Sequence, residues 1–141
     1  MEISGDKTIE LAKSAEKVSN NLGVEIVVAP PQPSLWTVTN NIEIPVICQH
    51  VDDAESGSST GFFIPEIAKS YGSVGSLINH SEHRVDMKSI LNLVHTLRKL
   101  KMITTTIVGI PSQRERLPVC LGPNKFNPPI TAIAIIAQAS S

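Results

Sequence analysis

The sequence predicts an α/β fold in which parallel strands alternate with helices, and three observations carry this prediction. Segments with helical apolar spacing alternate with short β-branched runs along residues 1–109. The β-branched runs are continuous, which is typical of strands buried on both faces of a parallel sheet. The connections between them are short, so we expect right-handed crossover units that place neighbouring strands side by side.

The first predicted unit is a helix followed by a buried strand. Asp6 is expected to cap the helix and Gly23 to end it. The run VEIVVAPP then predicts a strand stopped by prolines. The predicted apolar face of the helix consists of residues that recur at spacings of four, three and four: Leu11, Ala15, Val18 and Leu22.

The next units repeat this alternation. SLWTVTNN predicts a short helix capped by Ser34, and IPVICQHVD predicts the second strand. Pro65 is expected to open a third helix that Gly72 follows. VGSLINH predicts the third strand.

The last clear unit is a helix and a strand before a divergent tail. Asp86 is expected to cap the helix, and MITTTIVG predicts the fourth strand. Residues 110–141 carry five prolines and form a separate, partly irregular tail, in which PITAIAIIA could be an unpaired strand. Half a barrel would also leave two sheet edges unpaired, which favours self-association of a marginally stable chain. The predicted apolar stripe of the helix is Ile90, Leu91, Val94 and Leu97.

Two architectures fit this alternation, an open doubly wound sheet and a closed eight-stranded barrel. The sequence contains neither G-x-G-x-x-G nor a Walker pattern, either of which would indicate the ligand site of an open sheet. Barrel sites are built at the carboxyl ends of strands, and the polar residues here favour that arrangement. An open-sheet regulatory domain would have Asp52 and Asp53 as its acidic cluster. The polar residues at two successive strand ends are Gln49, His50 and Asp52, then Asn79, His80 and Glu82.

Composition excludes several classes of partner. A net charge of -1, with scattered lysines and arginines and 4% aromatic residues, argues against binding to nucleic acid or a membrane surface. Cys48 and Cys120 give neither a disulfide framework nor a zinc spacing, which fits a reducing compartment. No secretory signal or membrane-length apolar run is visible, so we expect a cytoplasmic protein.

His80 is the strongest candidate for chemistry. Backbone N–H groups of the turn at Ser81 would disfavour its imidazolium form, and a neutral histidine can donate an N–H to a substrate carbonyl. The alternative is a histidine that merely caps the turn. Cys48, His50, His80 and His83 could imitate a metal site, although their spacing matches no zinc pattern. His95 is expected on the surface of a helix.

Three motifs in register resemble the archaeal branch of the triose-phosphate isomerase family. NHSEHR resembles its G-H-S-E-R-R signature, in the form with Asn before the His that archaeal members use, and CQHVD and GSSTGFFIPE resemble its Q-H-V-D and G-x-x-T-G segments. The resemblance covers residues 2–109. It implies a partial (β/α)8 TIM barrel, about half of one, that lacks the first strand and the last strands.

The resemblance also implies a function. The family interconverts dihydroxyacetone phosphate and glyceraldehyde 3-phosphate in glycolysis and gluconeogenesis, without a cofactor or a metal. A carboxylate base moves the proton, a neutral histidine polarises the carbonyl oxygens, a lysine helps to hold the substrate, and a lid excludes water. By the match of motifs, His80 is the electrophile, Glu82 the supporting acid, and Thr60 a residue offered to a partner subunit of a homo-oligomer.

The departures from the family pattern lower the activity expected of the isolated chain. No residue matches the family's Asn-x-Lys, which precedes the matched part, and no E-P-x-E-L-I-G segment supplies the base. Asn127 or Ala134 would occupy the base position, depending on the alignment, and neither can accept a proton from carbon. We therefore expect weak or no turnover. The alternative is a non-catalytic barrel fragment that binds a phosphorylated ligand or associates with another chain.

Overall fold

The computed structural model describes residues 5–106, 119–121 and 132–135, and these form the predicted alternation of helices and strands. The boundary predicted at residue 109 lies outside the described residues. In chain order the elements are α1 (Asp6–Leu22), β1 (Ile26–Ala29), a 3-10 turn (Gln32–Ser34), α2 (Leu35–Thr39), β2 (Ile47–Cys48), α3 (Pro65–Ser70), β3 (Gly75–Ile78), α4 (Met87–Lys99), β4 (Ile103–Thr106), β5 (Val119–Leu121) and β6 (Ala132–Ile135).

The strands β2, β3 and β4 lie side by side in parallel, as the continuous apolar runs predict. β1 joins this sheet through a parallel bridge between Val28 and Val46, with the Val28 N–H donating to the Pro45 carbonyl over 3.0 Å. The α/β class with parallel strands is therefore confirmed. β5 departs from it, because it runs antiparallel to β4.

Strands of the tail cover the edges of β1 and β4. β6 pairs in parallel with β1 and places Ile133 opposite Val27. β5 pairs with β4. The segment PITAIAIIA does contain a strand, and it is paired. The edges of the described sheet therefore lie at β6 and β5, and the expected self-association through sheet edges stays a prediction.

The predicted apolar face of α1 is wrong for three of its four residues, and only Ala15 packs against the core. Thr8 and Ala12 are the buried residues of this helix, whereas Leu22 is 70% exposed. Thr8 and Ala12 lie one turn apart and carry small side chains, so this face can approach β1 closely. Leu11 and Val18, predicted to be buried, are exposed.

The predicted ends of the helices are confirmed in most cases. Gly23 ends α1 with φ 63°, Pro65 is the first residue of α3, and Gly72 follows α3 with φ 85°. Asp86 caps α4 through its Oδ1, which accepts the Lys88 and Ser89 N–H groups at 2.9 and 3.1 Å. One predicted cap is wrong, because Asp6 lies inside α1 after Gly5. Ser34 is at the cap position of α2, as predicted, but its side chain makes no capping bond.

The apolar stripe of α4 is displaced by part of a turn from the prediction. Leu97 is buried and Val94 packs against the core, as expected. Leu91 is exposed, and Leu93 is buried in its place. The face of α4 that meets the sheet is thus set by Leu93 and Leu97, four residues apart.

Residues on both faces of the strands are buried. Ile26 and Val28 of β1 pack into the core on the helix side, with residues of α1, α2 and α4. The next residues along β1, Val27 and Ala29, belong to a second cluster with Ile47 and Leu77. Because successive strand residues point to opposite faces, the two clusters lie on opposite sides of the sheet.

Candidate active site

Polar side chains tie together the carboxyl ends of β1 and β2. The Gln49 side-chain amide donates to the carbonyl of Ala29, the last residue of β1, over 2.9 Å. The Gln32 amide donates to the His50 carbonyl over 3.2 Å. These bonds hold the segment after β2 against the segment after β1, at the end of the sheet where barrel sites are built.

The turn after β3 carries His80 and is organised by Asn79. Asn79 has φ 62°, a left-handed conformation that asparagine tolerates better than most residues. Its Oδ1 accepts the Val85 N–H over 3.2 Å, and its carbonyl accepts a bond from the Arg84 guanidinium over 3.1 Å. The His83 N–H donates to the His80 carbonyl over 2.9 Å. Hydrogen bonds within residues 79–85 therefore hold this turn together.

The His80 ring is held in an orientation that suits the neutral form. Its Nδ1 accepts the Glu82 backbone N–H over 3.3 Å, so the neutral ring carries its own N–H on Nε2. The Glu82 carboxylate lies 3.8 Å from the same Nδ1, on a side chain that is 69% exposed, so water screens its charge. The His80 side chain is 19% exposed.

His50 and His83 form a contact that the sequence did not predict. Their rings stack with centroids 3.8 Å apart and an angle of 18° between the ring planes. The His50 Nε2 lies 3.3 Å from Asp52 Oδ1, and Asp52 Oδ2 accepts the Phe63 N–H over 2.6 Å. Burial, and secondarily His83, lowers the pKa of His50, while Asp52 acts in the opposite direction. Sequence spacing cannot reveal this pairing, because the two rings come from different strand ends.

The grouping of Cys48 with the histidines that could have imitated a metal site is not seen among the described side chains. The Cys48 thiol lies in the helix-side core and donates to the Ser73 Oγ over 3.3 Å, whereas the His50 ring stacks on His83 beyond the end of β2. Within residues 5–106, 119–121 and 132–135, no group of three His, Cys, Asp or Glu side chains is placed to hold a metal ion. Burial raises the pKa of the Cys48 thiol to about 11.

We expect Cys48 to resist thiol reagents in the folded protein. A Cys120→Ser variant at pH 8 should react with Ellman's reagent at least about 100-fold more slowly when native than when unfolded in urea, because burial suppresses the thiolate. Since the folded state holds the pKa at about 11, against an ordinary value of 9.0, stability should decline as the pH rises from about 9 to 11. A native reaction rate close to the unfolded rate would contradict this.

The other predicted residues are dispersed. Thr60 is exposed in the loop between β2 and α3, and His95 is exposed on α4, as expected of a surface residue. Asn127 lies outside the described residues. The backbone of Ala134 is placed in β6, opposite Val28 of β1. The roles of Thr60 and of the two candidate base positions remain predictions.

One shallow cavity of about 370 Å³ lies away from these strand ends. It is lined by α1 and by the segment between α2 and β2, including Glu16 and Glu43. The two carboxylates would repel a phosphorylated ligand, so this cavity does not extend the candidate site.

Parallel βα units with polar side chains gathered at the carboxyl ends of their strands define an α/β protein, a class that includes both open sheets and (β/α)8 barrels. The family model described as "Triosephosphate isomerase" matches residues 2–116. The chain belongs to the triosephosphate isomerase family.

Archaeal relatives agree with this assignment. The triosephosphate isomerase of Methanothermus fervidus is 43% identical over 103 residues, which cover 73% of this chain and 46% of the relative. That of Cenarchaeum symbiosum is 41% identical over 116 residues, covering 82% and 52%. That of Sulfolobus acidocaldarius is 37% identical over 117 residues, covering 83% and 50%. The chain thus spans about half the length of these relatives. None of its described helices is long and apolar enough to cross a membrane.

Proposed function

We propose that this chain carries the electrophilic part of a triosephosphate isomerase site, with His80 as the catalytic residue. The observation that supports this is the bond from the Glu82 N–H to the His80 Nδ1 at the end of β3. A neutral ring with its N–H on Nε2 can donate to both oxygens of a triose phosphate in turn, which stabilises the enediolate formed between them. Glu82 supports the turn through its backbone and carboxylate.

The proposed reaction also needs a base and a substrate-binding lysine, and no residue of this sequence matches the family motifs that supply them. A carboxylate would move the proton between adjacent carbons, and a lysine would hold the phosphorylated substrate. We infer that the isolated chain turns over dihydroxyacetone phosphate slowly or not at all. No cofactor is needed, because the reaction is a proton transfer. We propose a cytoplasmic location, because the proposed substrate is a small phosphorylated triose.

We also propose an oligomer that involves the loop containing Thr60. This residue is exposed between β2 and α3, where its side chain is accessible to a second subunit. We further propose that the chain is divided into a barrel-like part, residues 1–109, and a divergent tail.

A chimera tests the role of His80 directly. Residues 2–106 would replace the matching segment of the Methanothermus fervidus relative, which then supplies the remaining half. We expect this chimera to interconvert the two triose phosphates in a coupled assay. The H80Q variant should lose about 10²–10⁴-fold in kcat, because a positioned proton donor contributes that much. The exposed His95 offers a matched control, and H95Q should keep the full rate.

The outcomes separate the candidate functions. A folded chimera in which H80Q retains the full rate would overturn the assignment of His80. Turnover by the isolated chain near that of the chimera would overturn the expectation of weak activity. If the isolated chain is instead stabilised by dihydroxyacetone phosphate in a thermal shift assay without turnover, the non-catalytic ligand-binding alternative is favoured.

A further inference from the structure

The stacked rings of His50 and His83 connect two loops that carry different parts of the candidate site. His50 follows β2 and is nearly buried, whereas His83 is exposed in the turn that also carries His80. The ring centroids are 3.8 Å apart. This is the van der Waals contact distance of two aromatic faces, and it joins the turn of residues 79–85 to the end of β2.

The groups around this stack differ on its two sides. The Asp52 carboxylate lies 3.3 Å from the His50 Nε2, and the Gln32 side chain is bonded to the His50 carbonyl. On the side of the turn, the Arg84 guanidinium is directed to the Asn79 carbonyl. The other charged or titratable groups of these loops are Asp53, bonded to the Asn92 side chain of α4, the exposed Glu55, the pair His80 and Glu82, and Asp86, which caps α4.

One proton on the stack can be accommodated, but two cannot. A single imidazolium lies against a neutral ring, and the Asp52 carboxylate can neutralise its charge. A second proton places two like charges in rings that are in contact, where His50 is shielded from water. Acidification therefore weakens the contact between the His50 and His83 rings.

We propose that the His50–His83 stack is a proton-sensitive contact that holds the His80 turn on the end of β2 and releases it on acidification. The His83 N–H is bonded to the His80 carbonyl, so displacement of His83 pulls directly on the backbone of the candidate catalytic residue. The proposal depends on the geometry of the two rings and stands whether or not His80 is catalytic.

Amide hydrogen exchange measured at pH 7.0 and 5.0 tests this proposal, after correction for the intrinsic pH dependence of exchange. In the unmodified chain, exchange of the amides of residues 79–85 should rise about tenfold more than that of α4, which reports global opening. The rise is expected because loss of the ring contact frees the turn from the end of β2. H83F keeps an aromatic face but cannot take a proton, so it should abolish the pH-dependent rise.

Two further variants complete the test. H83A removes the stack, and its turn should exchange rapidly already at pH 7.0. H95F removes an exposed histidine of α4 that lies outside the stack, and it should behave like the unmodified chain. The proposal is overturned if H83F retains the rise, if the unmodified chain shows none, or if the amides of α4 rise by the same factor. If H83A does not fold, the comparison of H83F and H95F with the unmodified chain still tests the proposal.

Discussion

Gly75→Ala is expected to lower the free energy of unfolding by about 3 kcal/mol, as observed for severe overpacking of a core. A Cβ atom at position 75 would lie 2.4 Å from the Ile103 carbonyl oxygen and 2.8 Å from its Cβ. Gly75 and Ile103 are paired in register between β3 and β4, and the Ile103 N–H donates to the Val74 carbonyl over 2.7 Å. The obstacle is therefore backbone that cannot move without separating the strands. Urea denaturation followed by circular dichroism measures the loss.

Gly61→Ala is the matched control for this prediction. A Cβ atom at position 61 would meet no atom within 4 Å, but the residue has φ 87°. Only the conformational cost of a left-handed residue should appear, about 1 kcal/mol. Equal losses for the two variants would show that the contact between β3 and β4 is not what demands a glycine at position 75.

Leu97→Ala is expected to cost about 2–5 kcal/mol, whereas Leu91→Ala on the same helix should cost less than about 0.5 kcal/mol. Leu97 is 0% exposed and packs in the helix-side core, so its truncation leaves a cavity. Leu91 is 63% exposed, and little of its surface is removed from water on folding. The two leucines were predicted to share one apolar stripe, so the pair also tests the orientation of α4.

Thermal and urea denaturation of both variants under one set of conditions give the comparison. A loss at Leu91 as large as that at Leu97 would mean that Leu91 is covered in solution, by a second subunit or by another part of the chain. Concentration dependence of the midpoint would then distinguish those two causes.

Helix and strand order could be predicted from local chemistry. The buried residues of β1 form a continuous apolar run, and Asp86 places a carboxylate where the first N–H groups of α4 need an acceptor. Pro65 opens α3 because the N–H that proline lacks would have no acceptor within the helix at its first turn. Such features act within a few residues of the chain, so their effect is visible in the sequence.

The position of His80 could be predicted as well, but its surroundings could not. The motif NHSEHR indicated a turn at a strand end, and the ring does follow β3 directly. The stack of His83 on His50 joins residues 33 positions apart in the sequence, and no periodicity connects them. Cys48 was grouped with these histidines by proximity along the chain, yet its thiol faces Ser73 in the core.

By itself, the sequence determined the order of the helices and strands and the place of His80, because these depend on short segments and local hydrogen bonding. It also determined the family, because three short motifs occur in register. Only the tertiary structure decided that α1 buries Thr8 instead of Leu11, that β5 and β6 cover the edges of β4 and β1, and that two histidines meet at the strand ends. Burial and edge pairing depend on which surfaces meet across the fold, and several competing arrangements share the same apolar spacing.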